Sequence, residues 1–298
     1  MDDSSYVRNY IILYLIIILC FVLIYSYGLN RTLFRPSKLN NDQIILGDGY
    51  RQILLSDKEC NLSAIHMDKY HSNTILFLHG RFGNVKNYRN IFKLFNRIQM
   101  NIFFLDYSGY GISKGYPSIS RIIKDSNLAY KHLRTMVNAE NIIIWGESLG
   151  SIPAINVSSR PCAGLVIFSG FSSVDDVMCF SDSYKKRMMG AMMKNSIVPR
   201  NNLNNYKILR KTKCPVLVIH SKHDSQIPIG CAGKLYKNIN HDNKQFINIS
   251  GDHHTPTLEQ HHLDSILRFV DSDSTAKIHE IQHLLRISND QSVMILSD

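Results

Sequence analysis

The most informative segment of this 298-residue chain reads Asn141-Ile142-Ile143-Ile144-Trp145-Gly146-Glu147-Ser148-Leu149-Gly150. A short apolar run that ends in Gly-x-Ser-x-Gly is typical of a buried strand that turns sharply into a helix. Such a turn presents Ser148 at a strained apex, and the flanking glycines keep other side chains away from it. Apolar strand segments alternate with helical segments along much of the remaining chain. This alternation predicts an α/β fold whose mostly parallel sheet is covered by helices on both faces.

A serine nucleophile needs a base and an acid that orients the base, and in this kind of sheet both follow the serine, acid first. Asp224 lies just after the apolar segment 215–220, at the carboxyl end of a predicted strand. His253 and His254 follow the next predicted strand. Because the two histidines are adjacent, only one of them can face the serine. We predict His253 as the base, with His254 as the alternative.

A glycine-rich turn follows an earlier predicted strand and reads His79-Gly80-Arg81-Phe82-Gly83-Asn84. In serine hydrolases of this architecture, one oxyanion donor is the N–H after the nucleophile and the other comes from such a turn. The backbone N–H groups of Leu149 and Arg81 are therefore the predicted oxyanion hole. This chemistry implies no metal and no organic cofactor.

Taken together, these motifs resemble the membrane-anchored α/β-hydrolase-domain serine hydrolases, which include protein depalmitoylases, lysophospholipases and monoacylglycerol lipases. The resemblance covers about residues 33–271 and rests on four segments: Leu33-Phe34-Arg35-Pro36, His79-Gly80-x-x-Gly83-Asn84, Asp106-Tyr107-Ser108-Gly109-Tyr110-Gly111-x-Ser113-x-Gly115-x-Pro117-Ser118, and the serine turn. It implies the α/β-hydrolase fold with an N-terminal transmembrane helix and a cap insertion. It also implies lipase-like esterase or thioesterase activity.

The chain departs from this family at two positions. Family members typically carry Asn-Ala in place of Arg81-Phe82, and Arg in place of Ser108. An arginine beside the oxyanion hole is expected either to narrow the acyl pocket or to recruit an anionic head group.

The net charge of +10 does not by itself indicate nucleic-acid binding, because the Lys and Arg residues are scattered. No interleaving of aromatic and basic residues and no zinc-finger spacing is found. We therefore expect no nucleic-acid partner, and attraction to anionic membrane surfaces is the better interpretation.

The apolar run from Ile11 to Tyr25 could cross a bilayer, at the short end of the usual range of about 17–25 residues. A cleaved signal peptide is the alternative, but Asp2 and Asp3 do not suit its basic start. Basic residues after the run favour a cytosolic catalytic domain over a luminal one. The odd, widely spaced cysteines outside the run also favour the cytosol. Sequons point the other way, at Asn30, Asn61, Asn156 and Asn248.

The predicted organisation is an anchor at 1–28, a linker at 29–41, an α/β-hydrolase domain at 42–271 and a tail at 272–298. Residues 171–213 interrupt the alternation of strands and helices and are predicted to form a cap or lid insertion. This insertion is rich in methionine. It is interpreted either as ordinary core of a cap helix or as a pliable lid over an acyl chain.

The tail contains His279-Glu280-Ile281-Gln282-His283, which matches the zinc-protease signature His-Glu-x-x-His. No later His or Glu supplies a third ligand, so zinc catalysis is not expected. Apolar residues share one face of this predicted helix, which favours docking and a possible protein partner. The pair His261-His262 is likewise predicted to lie on a helix surface.

The predicted function is a single-pass, signal-anchored serine hydrolase that cleaves acyl esters or thioesters of lipids or S-acylated proteins. Two alternatives remain open at this stage. One is a non-catalytic, membrane-tethered binding protein with the same fold. The other is an acyltransferase that passes the acyl group to an acceptor other than water.

Overall fold

The computed structural model divides the chain into two compact units, Met1–Arg35 and Pro36–Asp298. It describes residues 10–17, 20, 33–40, 49–56, 60–89, 91–92, 95, 100–173, 176–177, 204–271 and 293–294. Most of the methionine-rich part of the predicted cap lies outside these ranges, as does the whole His279–His283 motif.

In the first unit, residues 10–17 are helical and their side chains are exposed. Within the described part of the chain, no helix is long and apolar enough to cross a membrane. The rest of the predicted span 11–25, apart from Cys20, lies outside the described residues. The membrane anchor therefore stays a prediction.

The second unit is built around one ten-stranded sheet, with the order β12-β11-β10-β9-β8-β7-β4-β6-β3-β2. The described strands are β1 (Arg35–Pro36), β2 (Tyr50–Ser56), β3 (Asn61–Met67), β4 (Thr74–Leu78), β5 (Phe82–Gly83), β6 (Asn101–Asp106), β7 (Ile142–Glu147), β8 (Gly164–Phe168), β9 (Val216–Ser221), β10 (Lys244–Gly251), β11 (Pro256–Leu258) and β12 (Val293–Met294). The strands from β6 to β10 in this order run parallel. Antiparallel strands flank them on both sides.

In the second unit, the α-helices whose bounds are described are α1 (Ile119–Leu133), α2 (Ser151–Val157), α3 (Asn205–Leu209), α4 (Ile229–Lys237) and α5 (Gln260–Val270). Short 3-10 turns occupy Val85–Tyr88, Ala139–Asn141 and Ser148–Gly150. Most of these helices connect parallel strands, as the alternation in the sequence predicted.

The central strands β4, β6, β7, β8 and β9 are buried at every residue. Full burial is expected of parallel strands that are covered on both faces, and it explains their continuous apolar sequences. Alternate residues of β7, Ile143 and Trp145, join one core cluster with Leu263 and Leu267 of α5. The intervening residues point to the opposite face. Within these five strands, the polar side chains lie at or next to a strand end, as Asp106, Glu147 and Ser221 do.

Helix α5 begins only at Gln260, because Pro256–Leu258 form the short strand β11 and pair antiparallel with β10. One sequence prediction near this helix was wrong. His262 is buried rather than on the helix surface, since its Nδ1 accepts a hydrogen bond of 3.0 Å from the Glu259 N–H and caps α5.

Candidate active site

Ser148 lies at the sharp turn between β7 and α2, with a left-handed backbone φ of 50°. This conformation is strained for any residue with a side chain, so the surrounding packing must impose it. A Cβ on Gly150 would lie 2.0 Å from the Leu78 carbonyl oxygen, and one on Gly146 would lie 2.4 Å from the Ala154 Cβ. The two glycines are therefore required for the close approach of β7, α2 and β4. The serine turn forms where the sequence predicted it.

The three predicted triad residues come together at the carboxyl ends of β7, β9 and β10. Ser148 Oγ lies 3.0 Å from His253 Nε2. On the other side of the imidazole, His253 Nδ1 lies 2.7 Å from Asp224 Oδ2. Asp224 and His253 are buried, so the hydrogen-bonded series is shielded from water along most of its length.

The Asp224 carboxylate is oriented by its own loop. Its Oδ1 accepts hydrogen bonds from the N–H groups of Gln226 (2.9 Å) and Ile227 (2.7 Å). This leaves Asp224 Oδ2 directed at His253. The Nε2 of a second histidine, His220, lies 3.5 Å from the same oxygen. His220 Nε2 lies 2.8 Å from the Ile227 carbonyl oxygen, and burial lowers the pKa of His220. His220 therefore stays neutral and supports the acid loop, a role that the sequence did not reveal.

The two adjacent histidines have different partners, and a hydrogen bond to Asp252 fixes the backbone of His253. The Asp252 carboxylate accepts hydrogen bonds from the His253 N–H at 2.7 Å and the Ser225 N–H at 2.8 Å, which joins the histidine loop to the acid loop. His254 instead contacts Gln226 through its Nε2 and packs edge-on against Phe82. Burial, followed by the charges of His253 and Arg81, lowers the pKa of His254. His253 is thus the histidine that contacts both Ser148 and Asp224, and His254 lies beside it in the cavity wall.

The predicted oxyanion turn lies directly against the nucleophile. A Cβ on Gly80 would lie 3.5 Å from the Ser148 Cβ, so the backbone before Arg81 passes close to the serine. The turn is held by two hydroxyls that donate to its carbonyl groups. Tyr107 bonds the His79 oxygen at 3.1 Å, and Tyr110 bonds the Arg81 oxygen at 2.7 Å. Leu149 follows Ser148 directly in the 3-10 turn Ser148–Gly150 and is buried.

A buried link that the sequence did not predict joins the oxyanion turn to the nucleophile strand. The Tyr88 hydroxyl accepts a hydrogen bond of 3.1 Å from the Gly80 N–H and donates to the carboxyl group of Glu147. Burial raises the pKa of Glu147 to about 8, with the Tyr88 hydrogen bond opposing part of that rise. The carboxyl group next to the nucleophile is therefore mainly protonated at neutral pH.

These groups line one cavity of about 380 Å³, which is within the usual size of small-molecule sites. Its walls are formed by Gly80, Arg81, Phe82, Gly83, Asn87, Tyr88, Glu147, Ser148, Phe168, Ser169, His253 and His254. Arg81 and Phe82, which depart from the family pattern, both line this cavity, and the Arg81 guanidinium lies 4.5 Å from the centre of the Phe82 ring. Apolar rings with a few convergent polar groups suit an ester with an apolar acyl part.

One cluster of described residues, Glu259, His261 and His262, brings three possible metal ligands together. None of the three lines the cavity. His262 Nδ1 is already engaged by the Glu259 N–H in capping α5, so the cap explains the cluster. This cluster of Glu259, His261 and His262 therefore has no part in the proposed chemistry at Ser148.

Comparisons with known proteins agree with this architecture. The family model described as "Serine aminopeptidase, S33" matches residues 69–213. Alpha/beta hydrolase domain-containing protein 17C of Mus musculus is 33% identical over 168 residues, which cover 55% of this chain and 49% of that protein. Alpha/beta hydrolase domain-containing protein 17B of Homo sapiens is 27% identical over 203 residues, which cover 67% of each chain. For the 17C relatives, this chain spans about half of their length.

Among solved structures, a Pyrococcus furiosus esterase superposes with a TM-score of 0.57 and 17% identity, over 85% of this chain and 98% of that chain. An alpha-beta hydrolase from Vibrio vulnificus superposes with a TM-score of 0.58 and 17% identity, over 78% of this chain and 81% of that chain. The chain therefore has the α/β-hydrolase fold, as predicted. Together with the sequence relatives, these similarities support the prediction of a serine hydrolase.

Proposed function

We propose that the protein hydrolyses acyl esters or thioesters through an acyl-enzyme formed on Ser148. The observation that carries this proposal is the hydrogen-bonded series Ser148–His253–Asp224, which opens into a cavity with the oxyanion turn on its wall. A serine hydroxyl becomes an effective nucleophile when a base of this kind can take its proton.

The proposed reaction has two halves. Ser148 Oγ attacks the substrate carbonyl carbon while His253 Nε2 takes the hydroxyl proton, and Asp224 stabilises the resulting imidazolium. The oxyanion accepts hydrogen bonds from the N–H groups of Leu149 and Arg81. The alcohol or thiol leaves with the proton that His253 returns. Water then attacks the acyl-enzyme by the same route, and a carboxylic acid is released as Ser148 is restored.

Labelling with a fluorophosphonate probe tests this proposal, because such a probe phosphonylates an activated serine with loss of fluoride. The wild-type protein is expected to be labelled, and Ser148→Ala and His253→Ala are expected to lose the label. His254→Ala is the matched control and should keep it. Labelling that survives in Ser148→Ala, or absent labelling of folded wild type, would contradict the proposal. The second result would favour the non-catalytic binding protein.

We propose long acyl chains, in lipid esters or S-acylated proteins, as the substrates. The aromatic lining of the cavity supports this choice, as does the basic charge of a chain with a predicted N-terminal anchor. Hydrolysis of p-nitrophenyl esters of increasing acyl length measures the preference. A protein that hydrolyses short, water-soluble esters and ignores long chains would rule out this substrate class.

We further propose that residues 11–25 anchor the chain in a membrane, with the hydrolase unit in the cytosol. The length of the apolar run supports the anchor, and the basic residues after it support the cytosolic orientation. Extraction of membranes at alkaline pH tests the anchor, and protection from added protease tests the side. Glycosylation at Asn61 or Asn156 would place the hydrolase unit in the lumen instead.

A further inference from the structure

Two serines that line the cavity both have a strained, left-handed backbone conformation. Ser148 has a φ of 50° and Ser169 has a φ of 49°. In the described part of the chain, the remaining non-glycine residue with a positive φ is Tyr70, whose side chain is 95% exposed. The nucleophile turn accounts for Ser148, whereas nothing in the triad requires the conformation of Ser169. Strain of this kind persists only where the surrounding structure imposes it, and it is concentrated at functional sites.

The backbone of Ser169 is fixed from both sides. Its N–H donates a hydrogen bond of 2.9 Å to the Ile219 carbonyl oxygen of β9. The next residue, Gly170, lies so close to the start of α2 that a Cβ there would be 2.8 Å from the Ser151 Cβ. The chain at the end of β8 therefore has little freedom to relax, and the serine is held at the cavity wall.

The hydroxyl of Ser169 has no hydrogen-bond partner among the residues that the structure describes. The residue lines the cavity and is only 2% exposed, so bulk water does not replace the missing partner. A buried hydroxyl that is left unpaired is unfavourable, and a polar atom of a bound substrate would satisfy it.

The order of the sheet indicates which part of a substrate Ser169 meets. The nucleophile strand β7 lies between β4, which leads to Arg81, and β8, which leads to Ser169. The carbonyl oxygen of a substrate is bound on the β4 side, at the proposed oxyanion hole. The strands β9 and β10, which lead to Asp224 and His253, lie on the same side of β7 as β8. Ser169 is thus on the side where His253 returns its proton to the leaving group.

We propose that Ser169 Oγ forms a hydrogen bond with an oxygen of the leaving group, close to the scissile bond. The preferred substrates are then esters or thioesters whose alcohol or thiol part carries a hydroxyl or carbonyl oxygen near that bond. This inference rests on the proposed hydrolase function and narrows its substrate class.

Two thioesters with the same acyl group test the inference on the full-length protein in detergent micelles. S-dodecanoyl-thioglycerol carries hydroxyls on its leaving group, and S-dodecanoyl-propanethiol does not. The released thiol is measured with a coloured disulfide reagent. The readout is the ratio of kcat/KM for the two substrates within each variant, so differences in thiol acidity cancel between variants.

We expect Ser169→Ala to lower this ratio about tenfold, the effect of one lost hydrogen bond to the substrate. Ser151→Ala is the matched control, because Ser151 Oγ is also buried with no partner among the described residues but does not line the cavity. It should keep the wild-type ratio. The thermal unfolding midpoint of Ser169→Ala should be unchanged or higher, because an unpaired hydroxyl is removed.

An unchanged ratio in Ser169→Ala would overturn the inference, and so would an equal fall in Ser151→Ala. In either case, a wild type that hydrolyses both thioesters would leave the proposed hydrolase function intact. A wild type that hydrolyses neither thioester and takes no fluorophosphonate label would contradict the hydrolase function and the Ser169 inference together.

Discussion

Removing the Tyr88 hydroxyl should destabilise the fold more than the loss of one ordinary tyrosine hydroxyl would. This hydroxyl is the buried link between the oxyanion turn and the nucleophile strand. It accepts from the Gly80 N–H and donates to Glu147, and the ring is only 6% exposed. In Tyr88→Phe the ring still fills its place in the core, so the change isolates the two hydrogen bonds.

The magnitude follows from what the substitution leaves behind. A buried polar group that loses its partner costs about 1–3 kcal/mol, and Tyr88→Phe leaves one such group at Gly80 in the oxyanion turn and one at Glu147 in β7. The expected loss in the free energy of unfolding is therefore about 2–5 kcal/mol, a large part of the total stability of an ordinary domain. In Tyr130→Phe, by comparison, the lost hydroxyl donates a single bond of 2.5 Å to the Pro161 carbonyl oxygen, far from the cavity. That control should lose about 0.5–1.5 kcal/mol.

Equilibrium urea unfolding at pH 7 measures both variants. Trp145 is the only tryptophan of the chain and lies on the nucleophile strand, so its fluorescence reports the unfolding of this part of the sheet. The kcat for an acyl ester should also fall in Tyr88→Phe by more than KM rises, because the link positions the oxyanion turn. A Tyr88→Phe variant that loses no more stability than Tyr130→Phe would refute this reasoning.

Three further predictions concern the same site, and one of them is paired with a control glycine in α4. Burial raises the pKa of Glu147 from 4.5 to about 8, so its contribution to stability is full below pH 4.5 and is lost as the pH rises through 8. Urea unfolding at pH 5, 7 and 9 should therefore show wild type losing stability relative to Glu147→Gln, by up to about 5 kcal/mol, and a constant difference would contradict the raised pKa. Gly150→Ala should fail to fold to an active protein, because its Cβ would lie 2.0 Å from a carbonyl oxygen. In contrast, Gly233→Ala in α4 meets nothing within 4 Å and should gain about 0.5–1 kcal/mol by thermal or urea unfolding. Asp224→Asn should retain its circular dichroism spectrum yet lose roughly 10³-fold in kcat for an acyl ester, because His253 would lose the carboxylate that holds its tautomer, and a loss below tenfold would argue against that role.

Much of the site could be predicted because a parallel sheet simplifies the problem. The carboxyl ends of parallel strands meet at one edge, so polar residues just after apolar runs are brought together whatever their separation in sequence. Ser148, Asp224 and His253 each follow such a run. This rule cannot choose between His253 and His254, because both follow the same strand. The choice depends on local contacts, such as the hydrogen bond from the His253 N–H to the Asp252 carboxylate.

Three features that the sequence pattern does not reveal depend on contacts between distant parts of the chain or on position in the sheet. The strand β2 lies at the sheet edge, where Leu54 is 69% exposed, so it lacks the continuous apolar pattern of the buried strands. The strand β11 has only three residues and depends on pairing with β10 rather than on its own sequence. The link from Tyr88 to Glu147 joins distant parts of the chain, and its one visible signal is the acidic residue inside the Gly-x-Ser-x-Gly motif.

The arrangement of the sheet explains how the site can retain unfavourable features. Ser148 and Ser169 have strained backbone conformations. A protonated Glu147 is buried beside them, as is the Ser169 hydroxyl, which has no partner in the described part of the chain. Each of these features lowers the free energy of unfolding. The fold can retain all of them only if the rest of the structure is stable enough to compensate. The central strands provide it, since every residue from Ile142 to Glu147 and from Gly164 to Phe168 is buried. Substitutions that weaken these strands should therefore impair the cavity before they unfold the sheet, because the strained residues are the first to relax when their supports move.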